Sequence, residues 1–205
     1  MNKIITSLFA SILFFSFQAF ASAEEDNSQK TNMTKHTATF AGGCFWCLEA
    51  AFDKHDGIIE TISGYTGGHK KDPTYNEISS ASTGHFEALR ITYDSQKISY
   101  EKLLDIFWKN VDPLDANGQF CDKGPQYKSA IFYENEQQKK LAEDSLKKLQ
   151  MEKFKGQKIA TEIHQLKKYY DAEDYHQNYH KKNPIRYKLY STGCGRARRL
   201  KQVWQ

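Results

Sequence analysis

The chain has 205 residues, with 29 Lys and Arg against 25 Asp and Glu, a formal net charge of +4 and 39% hydrophobic residues. That length suits one domain with a full core, one that needs no disulfides to fold. Its basic residues are scattered among acids, which gives nucleic-acid binding little support, and the Arg196, Arg198, Arg199 and Lys201 cluster reads as a solvated tail.

At the N-terminus, Lys3 precedes an apolar run over residues 4–20, and Ala21-Ser22-Ala23 supplies a small-x-small cleavage pattern. A membrane span needs about 20 apolar residues. This run is shorter and carries Ser11, Ser16 and Gln18, so residues 1–23 read as a secretory signal peptide cleaved after Ala23. An uncleaved anchor is the alternative. Both place the domain outside the cytoplasm, with the periplasm as the expected compartment. Losing Lys3 lowers the formal net charge from +4 to +3. Residues 24–35 are polar and aperiodic and read as a flexible linker, leaving residues 36–205 as a single domain.

Residues 36–41 form a short β-leaning stretch ended by Gly42-Gly43. Residues 44–54 follow with Phe45, Leu48, Ala51 and Phe52 at helical spacing, so Cys44 is expected at a strand-to-helix turn. Residues 57–65 read as a strand, 67–73 as a loop and 75–83 as irregular. Residues 85–93 alternate as a second long strand. Ser99 caps a helix reaching 110, with Leu103, Leu104, Phe107 and Trp108 on its apolar face. Residues 111–127, rich in Asp, Gly, Pro and Asn, make a long loop of the kind that carries function. A strand at 128–133, a charged helix at 136–151, a strand at 159–163 and a helix at 169–180 complete the regular elements. From Asn183-Pro184 onward the chain reads as loop until a last turn at 198–204. The β-β step between 57 and 93 breaks strict alternation, so the class is α+β, not a doubly wound parallel sheet.

Cys44 and Cys47 flank Phe45 and Trp46; Cys121 and Cys194 stand alone. Unpaired backbone N–H groups and the helix dipole stabilise a thiolate at a helix start, which makes Cys44 the first candidate nucleophile. Three readings of the C-x-x-C stretch compete. A dithiol exchanging disulfides fits the spacing, but such a motif sits within a βαβ pattern and only one short strand precedes this one. A zinc site from Cys44, Cys47, Cys121 and Cys194 lacks paired knuckles. His176 and His180, four apart, lack the zincin glutamate and read as surface or packing residues. The third reading uses Phe45 and Trp46 as walls for a small apolar group bound beside the sulfur.

Gly43-Cys44-Phe45-Trp46 resembles the signature of the A-class peptide methionine sulfoxide reductases. The resemblance continues in order through Gly64-Tyr65-Thr66-Gly67-Gly68, Pro73-Thr74-Tyr75, Thr83-Gly84-His85-Phe86-Glu87, Ile98-Ser99-Tyr100-Glu101, Asp122 with Gln126-Tyr127, Thr161-Glu162-Ile163 and Ala172-Glu173-Asp174-Tyr175-His176-Gln177. It implies a two-layer α/β sandwich with a ferredoxin-like core. It also implies reduction of methionine S-sulfoxide, free or in proteins, without metal or organic cofactor. A thioredoxin-like dithiol protein is the implied reductant, and a monomer is expected. By the same resemblance, Cys44 attacks the sulfoxide sulfur and Phe45 and Trp46 hold its methyl group. Glu87 hydrogen-bonds the oxygen, Tyr65 and Tyr127 supply hydroxyls, Asp122 supports them and Tyr187 lies near the C-terminal cysteine.

Burial can keep a Glu protonated near neutral pH, as such an acid requires. Attack leaves a sulfenic acid that a second thiol resolves to a disulfide. Many relatives carry that cysteine directly after the tyrosine matching Tyr187, where this chain has Lys188. Cys194, between Gly193 and Gly195, is the favoured resolving thiol of the C-terminal tail 188–205. Cys47 and Cys121 are the alternatives. Cys47 is close in sequence, but closure must work around Phe45 and Trp46. Rival readings are a general thiol-disulfide oxidoreductase using Cys44 and Cys47, a zinc-stabilised binding module and a redox sensor without turnover.

Overall fold

The computed structural model describes residues 34–205; the expected signal peptide and residues 24–33 of the expected linker lie outside the described residues. In chain order the elements are β1 (Lys35–Gly42), α1 (Phe45–Phe52), β2 (Ile58–Thr66), α2 (Tyr75–Ser79), β3 (Phe86–Asp94) and α3 (Tyr100–Lys109). There follow β4 (Gly118–Gln119), β5 (Asp122–Lys123), a 3₁₀ turn (Pro125–Tyr127), β6 (Ser129–Tyr133) and α4 (Glu136–Glu152). The chain then runs through β7 (Glu162–Gln165), β8 (Tyr169–Asp171), α5 (Tyr179–Lys182), α6 (Pro184–Gly193) and α7 (Arg196–Trp204).

Six strands form one sheet in the order β7-β6-β1-β3-β2-β8. β3 lies antiparallel between β1 and β2, and β6 lies antiparallel on the outer edge of β1. This strand order is compatible with a ferredoxin-like core, to which β7 and β8 add edge strands. Alternation along the strands sorts the two faces. Phe40, Leu89, Ile91 and Ile131 pack against Leu48, Phe52, Leu103 and Phe107 of α1 and α3. The opposite face carries Ala41, Ala88, Ala130 and Phe132 under Tyr169. Ser99 caps α3 by accepting from the Lys102 N–H at 3.2 Å, as expected.

Five segments differ from the sequence reading. Residues 75–79 are helical, not irregular, because Thr74 and Glu77 close a capping box. The expected helix at 169–180 is instead β8, a turn and the single-turn α5. Buried side-chain bonds hold that irregular path: the Tyr169 hydroxyl donates to Ile62 O at 2.6 Å and Gln177 brackets Ser63 from both sides. The 159–163 strand sits slightly later, as β7, and the long loop contains the β4–β5 hairpin. In the tail the expected last turn at 198–204 lies within α7, but the segment before it is helix α6 rather than loop, and Gly195 breaks the two apart with a left-handed φ of 71°. Among the described residues no helix is long and apolar enough to cross a membrane.

Candidate active site

β1 delivers the chain to the sheet's end, and Gly43 turns it into α1 with φ 79°. A Cβ there would lie 2.6 Å from that of Gln119, so only glycine fits. Cys44 is the N-cap of α1, with its carbonyl accepting from Cys47 and Leu48. The Phe45 N–H, unpaired within the helix, donates to Glu87 Oε2 at 3.1 Å. Glu87 shares β3's helical face with Leu89 and Ile91 and is 2% exposed, which excludes the solvent-facing orientation that alternation alone allows.

A cavity of about 70 Å³ opens between these groups, lined by Cys44, Phe45, Trp46, Tyr75, Glu87, Asp122, Tyr127 and Tyr190. Burial holds the Glu87 carboxyl up at about 8, against a single N–H that favours its anion. Burial, the Cys47 thiol and the Glu87 charge push the Cys44 thiol up as well. The direction is opposite to that expected of a helix-start thiol, and desolvation by burial is its largest cause. Cys47 moves the opposite way, to about 7, through its hydrogen bond with Cys44 and, beyond the opposing effect of burial, the nearby Arg196 guanidinium. Tyr75 and Tyr127 hydrogen-bond each other, and burial raises both hydroxyls.

The aromatic walls are fixed from outside. The Trp46 indole lies flat on Tyr179 with centroids 3.8 Å apart, meets Tyr190 edge-on at 5.8 Å, and donates to His176 Nδ1 at 3.1 Å. Burial lowers His176 to about 4, so it stays neutral and able to accept. Of the surface and packing roles open to His176, the structure shows packing: it is a buried support for Trp46. Tyr190 donates to Asp122 Oδ2 at 2.5 Å and hydrogen-bonds Cys44.

Of the residues singled out in the sequence, the cavity gathers Cys44, Phe45, Trp46, Glu87, Asp122 and Tyr127. Tyr65 is not among them. It lies opposite Glu87 in the sheet, but its hydroxyl donates to Glu173 at 2.8 Å, and Tyr75 takes the place expected for it. Tyr187 also stands apart, hydrogen-bonded to Cys47, while Tyr190 one helical turn on reaches the cavity. Cys194 is bonded to Cys121, with its sulfur 3.9 Å from Asp122 Oδ2; Cys44 and Cys47 are free. The Thr74-x-x-Glu77 box could have flagged Tyr75, and the Tyr187/Tyr190 spacing on a helix could have flagged Tyr190. The Arg cluster is solvated only in part: Arg198 and Lys201 are exposed, but Arg196 is buried and donates to the Gly42 and Asn110 carbonyls, and Arg199 pairs with Asp112 at 2.7 Å.

A buried thiol facing a protonated carboxyl across an aromatic-walled cavity defines a thiol-dependent oxidoreductase for a small polar group carried on an apolar one. Comparison with known proteins narrows that class. Residues 36–205 match the family described as Peptide methionine sulfoxide reductase. The chain is 51% identical over 170 residues to the peptide methionine sulfoxide reductase MsrA of Bacillus licheniformis, covering 83% of this chain and 94% of that one. Among solved structures, reduced Mxr1 of Saccharomyces cerevisiae superposes with a TM-score of 0.69 at 33% identity, covering 76% of this chain and 92% of that one. The methionine sulfoxide reductase A of Corynebacterium diphtheriae gives a TM-score of 0.65 at 30% identity, covering 74% and 76%. The chain belongs to the peptide methionine sulfoxide reductase family.

Proposed function

We propose that this chain is a repair enzyme that reduces methionine S-sulfoxide, free or in proteins, to methionine. One observation carries the reading: the Cys44 sulfur and the Glu87 carboxyl face the same cavity of about 70 Å³, between the Phe45 and Trp46 rings. That volume admits a methyl sulfoxide group and little more. The methyl packs on Phe45 and Trp46, while the oxygen meets the Glu87 acid and the Tyr75 and Tyr127 hydroxyls, which take the part first expected of Tyr65 and Tyr127. Asp122 holds Tyr190 against the sulfur.

Glu87, protonated at neutral pH, donates to the sulfoxide oxygen as the Cys44 sulfur attacks the sulfoxide sulfur. The substrate's sulfur–oxygen bond and the transient bond between its sulfur and Cys44 both break as the oxygen passes to Cys44, so methionine leaves and Cys44 is left as a sulfenic acid. The proton of the Cys44 thiol restores Glu87, so atoms and electrons balance. A neutral Glu87 also removes the negative charge that disfavours a thiolate at Cys44. The sulfenic acid then closes to an intramolecular disulfide, which a thioredoxin-like dithiol protein reduces. Cys194, favoured from its flanking glycines, serves only after its bond to Cys121 is reduced.

The leader pattern over residues 1–23 supports export, with the periplasm as the proposed compartment. Purified protein offered a peptide bearing the S-sulfoxide, the R-sulfoxide or an insulin-type disulfide tests the whole reading. Rapid reduction of the S epimer alone is expected. Preference for the protein disulfide would establish the rival oxidoreductase using Cys44 and Cys47.

A further inference from the structure

Two openings reach the first turn of α1, and they share no lining residue. Cys44 lines the small chamber described above. Cys47 lines a cleft of about 560 Å³ between α1 and the α6–α7 tail, with Tyr187, Arg196, Arg198 and Lys54 around it. The Cys47 thiol hydrogen-bonds Cys44 and Tyr187, so the two thiols are neighbours. The residues lining the cleft include three cationic side chains and no carboxylate.

We infer that Cys47 is the thiol that resolves the Cys44 sulfenic acid, and that the cleft above it is where an acidic-faced dithiol protein delivers its electrons. The inference rests on the sulfoxide reductase reading. The chamber at Cys44 is too small for a protein loop, whereas about 560 Å³ lies within the 300–1,000 Å³ of ordinary binding clefts. Cys44 and Cys47 are both free and in contact, while Cys194 is already bonded elsewhere. Phe45 and Trp46 both line the substrate cavity, with Trp46 stacked on Tyr179, and neither ring lines the cleft at Cys47.

The steps balance. The Cys47 thiol displaces hydroxide from the Cys44 sulfenic acid; a sulfur–sulfur bond forms and water leaves with the thiol proton. A thiolate of the dithiol protein then attacks the Cys47 sulfur, breaking that bond and releasing Cys44 as a thiolate. The second thiol of the same protein attacks the mixed disulfide, freeing Cys47 and leaving the partner oxidised. The Arg196 guanidinium, stacked on the Phe120 ring at 4.5 Å and bound to the Gly42 and Asn110 carbonyls, is the fixed cation that favours the Cys47 thiolate. The Cys121–Cys194 bond stays closed throughout.

Single-turnover release of methionine, peptide mass spectrometry and steady-state turnover with thioredoxin, its reductase and NADPH test this together. Wild-type protein should give a Cys44–Cys47 disulfide after one turnover. Cys47→Ser should still release one methionine per chain but accumulate a dimedone-reactive sulfenic acid and lose more than about 30-fold in turnover. That stoichiometric release also shows that the variant is folded. A second variant, Lys54→Glu with Arg198→Glu, should raise the KM for thioredoxin about tenfold and act far less on the KM for sulfoxide. A Cys44–Cys194 or Cys44–Cys121 disulfide, or full turnover by Cys47→Ser, would overturn the inference. Absence of methionine release by the wild type would instead overturn the proposed function.

Discussion

The two sulfur pairs of this protein sit in opposite settings. Cys44 and Cys47 are free, 6% and 5% exposed, and held at the start of a helix among groups that shift each other's protonation. Cys121 is exposed and Cys194 half-buried; they are bonded, 73 residues apart in sequence. The buried pair is placed by the sheet: β1 sets Cys44, β3 sets Glu87, and both are built on strands paired over seven or more residues. The surface pair joins a loop to a helical tail, two segments the sheet does not fix. The difference implies chemistry at the first pair and attachment at the second.

The sharpest break in that comparison is Cys44→Ser, which should abolish sulfoxide reduction, whereas Cys121→Ser with Cys194→Ser should retain most of it. A protein in which both variants lost activity equally would erase the distinction. Next in size is Glu87→Gln. A positioned proton donor contributes about 10²–10⁴-fold, and single-turnover methionine release should slow by that much. The pH dependence identifies the group. Glu87 holds its proton up to about 8, so the wild-type single-turnover rate should stay level to neutral pH and fall as the pH rises through about 8. Glu87→Gln should lose that limb. Stability has the same sign: the folded state keeps a proton that the unfolded chain releases near 4.5, so the wild type loses stability as the pH climbs from about 4.5 to 8, and Glu87→Gln does not. A limb near 8 that survives in the glutamine variant would assign it to another group.

The bonded pair should show itself in stability. Closing a loop of that span is worth about 4 kcal/mol in chain entropy, and removed natural disulfides cost about 2–5 kcal/mol. Urea unfolding of the Cys121→Ser, Cys194→Ser protein should register a loss in that range, with turnover reduced by less than about threefold. A large loss of turnover with little loss of stability would move this pair into the catalytic cycle.

What the sequence made legible follows the same division. Strongly periodic segments declared themselves: the alternation of residues 85–93 and the stripe Leu103, Leu104, Phe107 and Trp108 lie where expected. Glu87 hangs from the first of these, and Cys44, Phe45 and Trp46 open α1, whose helical spacing of Phe45, Leu48, Ala51 and Phe52 was equally plain. The tail and residues 169–180 were misread because their conformation depends on distant partners. The Trp204 indole donates to Val111 O, Gln177 clamps Ser63, and Tyr169 reaches the sheet's carbonyls. Propensity carries no trace of such long-range bonds. Tyr190 was missed with the helix that carries it.

Tyr65 gives the smallest and most discriminating effect. It is fully buried, stands opposite Glu87 in the sheet and packs on Phe45, and the family resemblance made it a candidate hydroxyl. Yet its oxygen is committed to Glu173, whose other carboxylate oxygen accepts the Tyr75 backbone N–H at 2.8 Å. Tyr65 therefore acts on the cavity only through Glu173 and the placement of Tyr75. Tyr65→Phe removes one hydrogen bond to a charged partner, worth about 1.5–3 kcal/mol of stability at most, and should lower single-turnover methionine release by less than about threefold. Tyr75→Phe and Tyr127→Phe remove hydroxyls that face the sulfoxide oxygen itself. Each should slow that step by about 10–10²-fold, below the loss seen when a fixed oxyanion donor is removed, because the partner hydroxyl remains. Equal slowing by all three variants would mean that the Tyr65 hydroxyl reaches the cavity once substrate is bound.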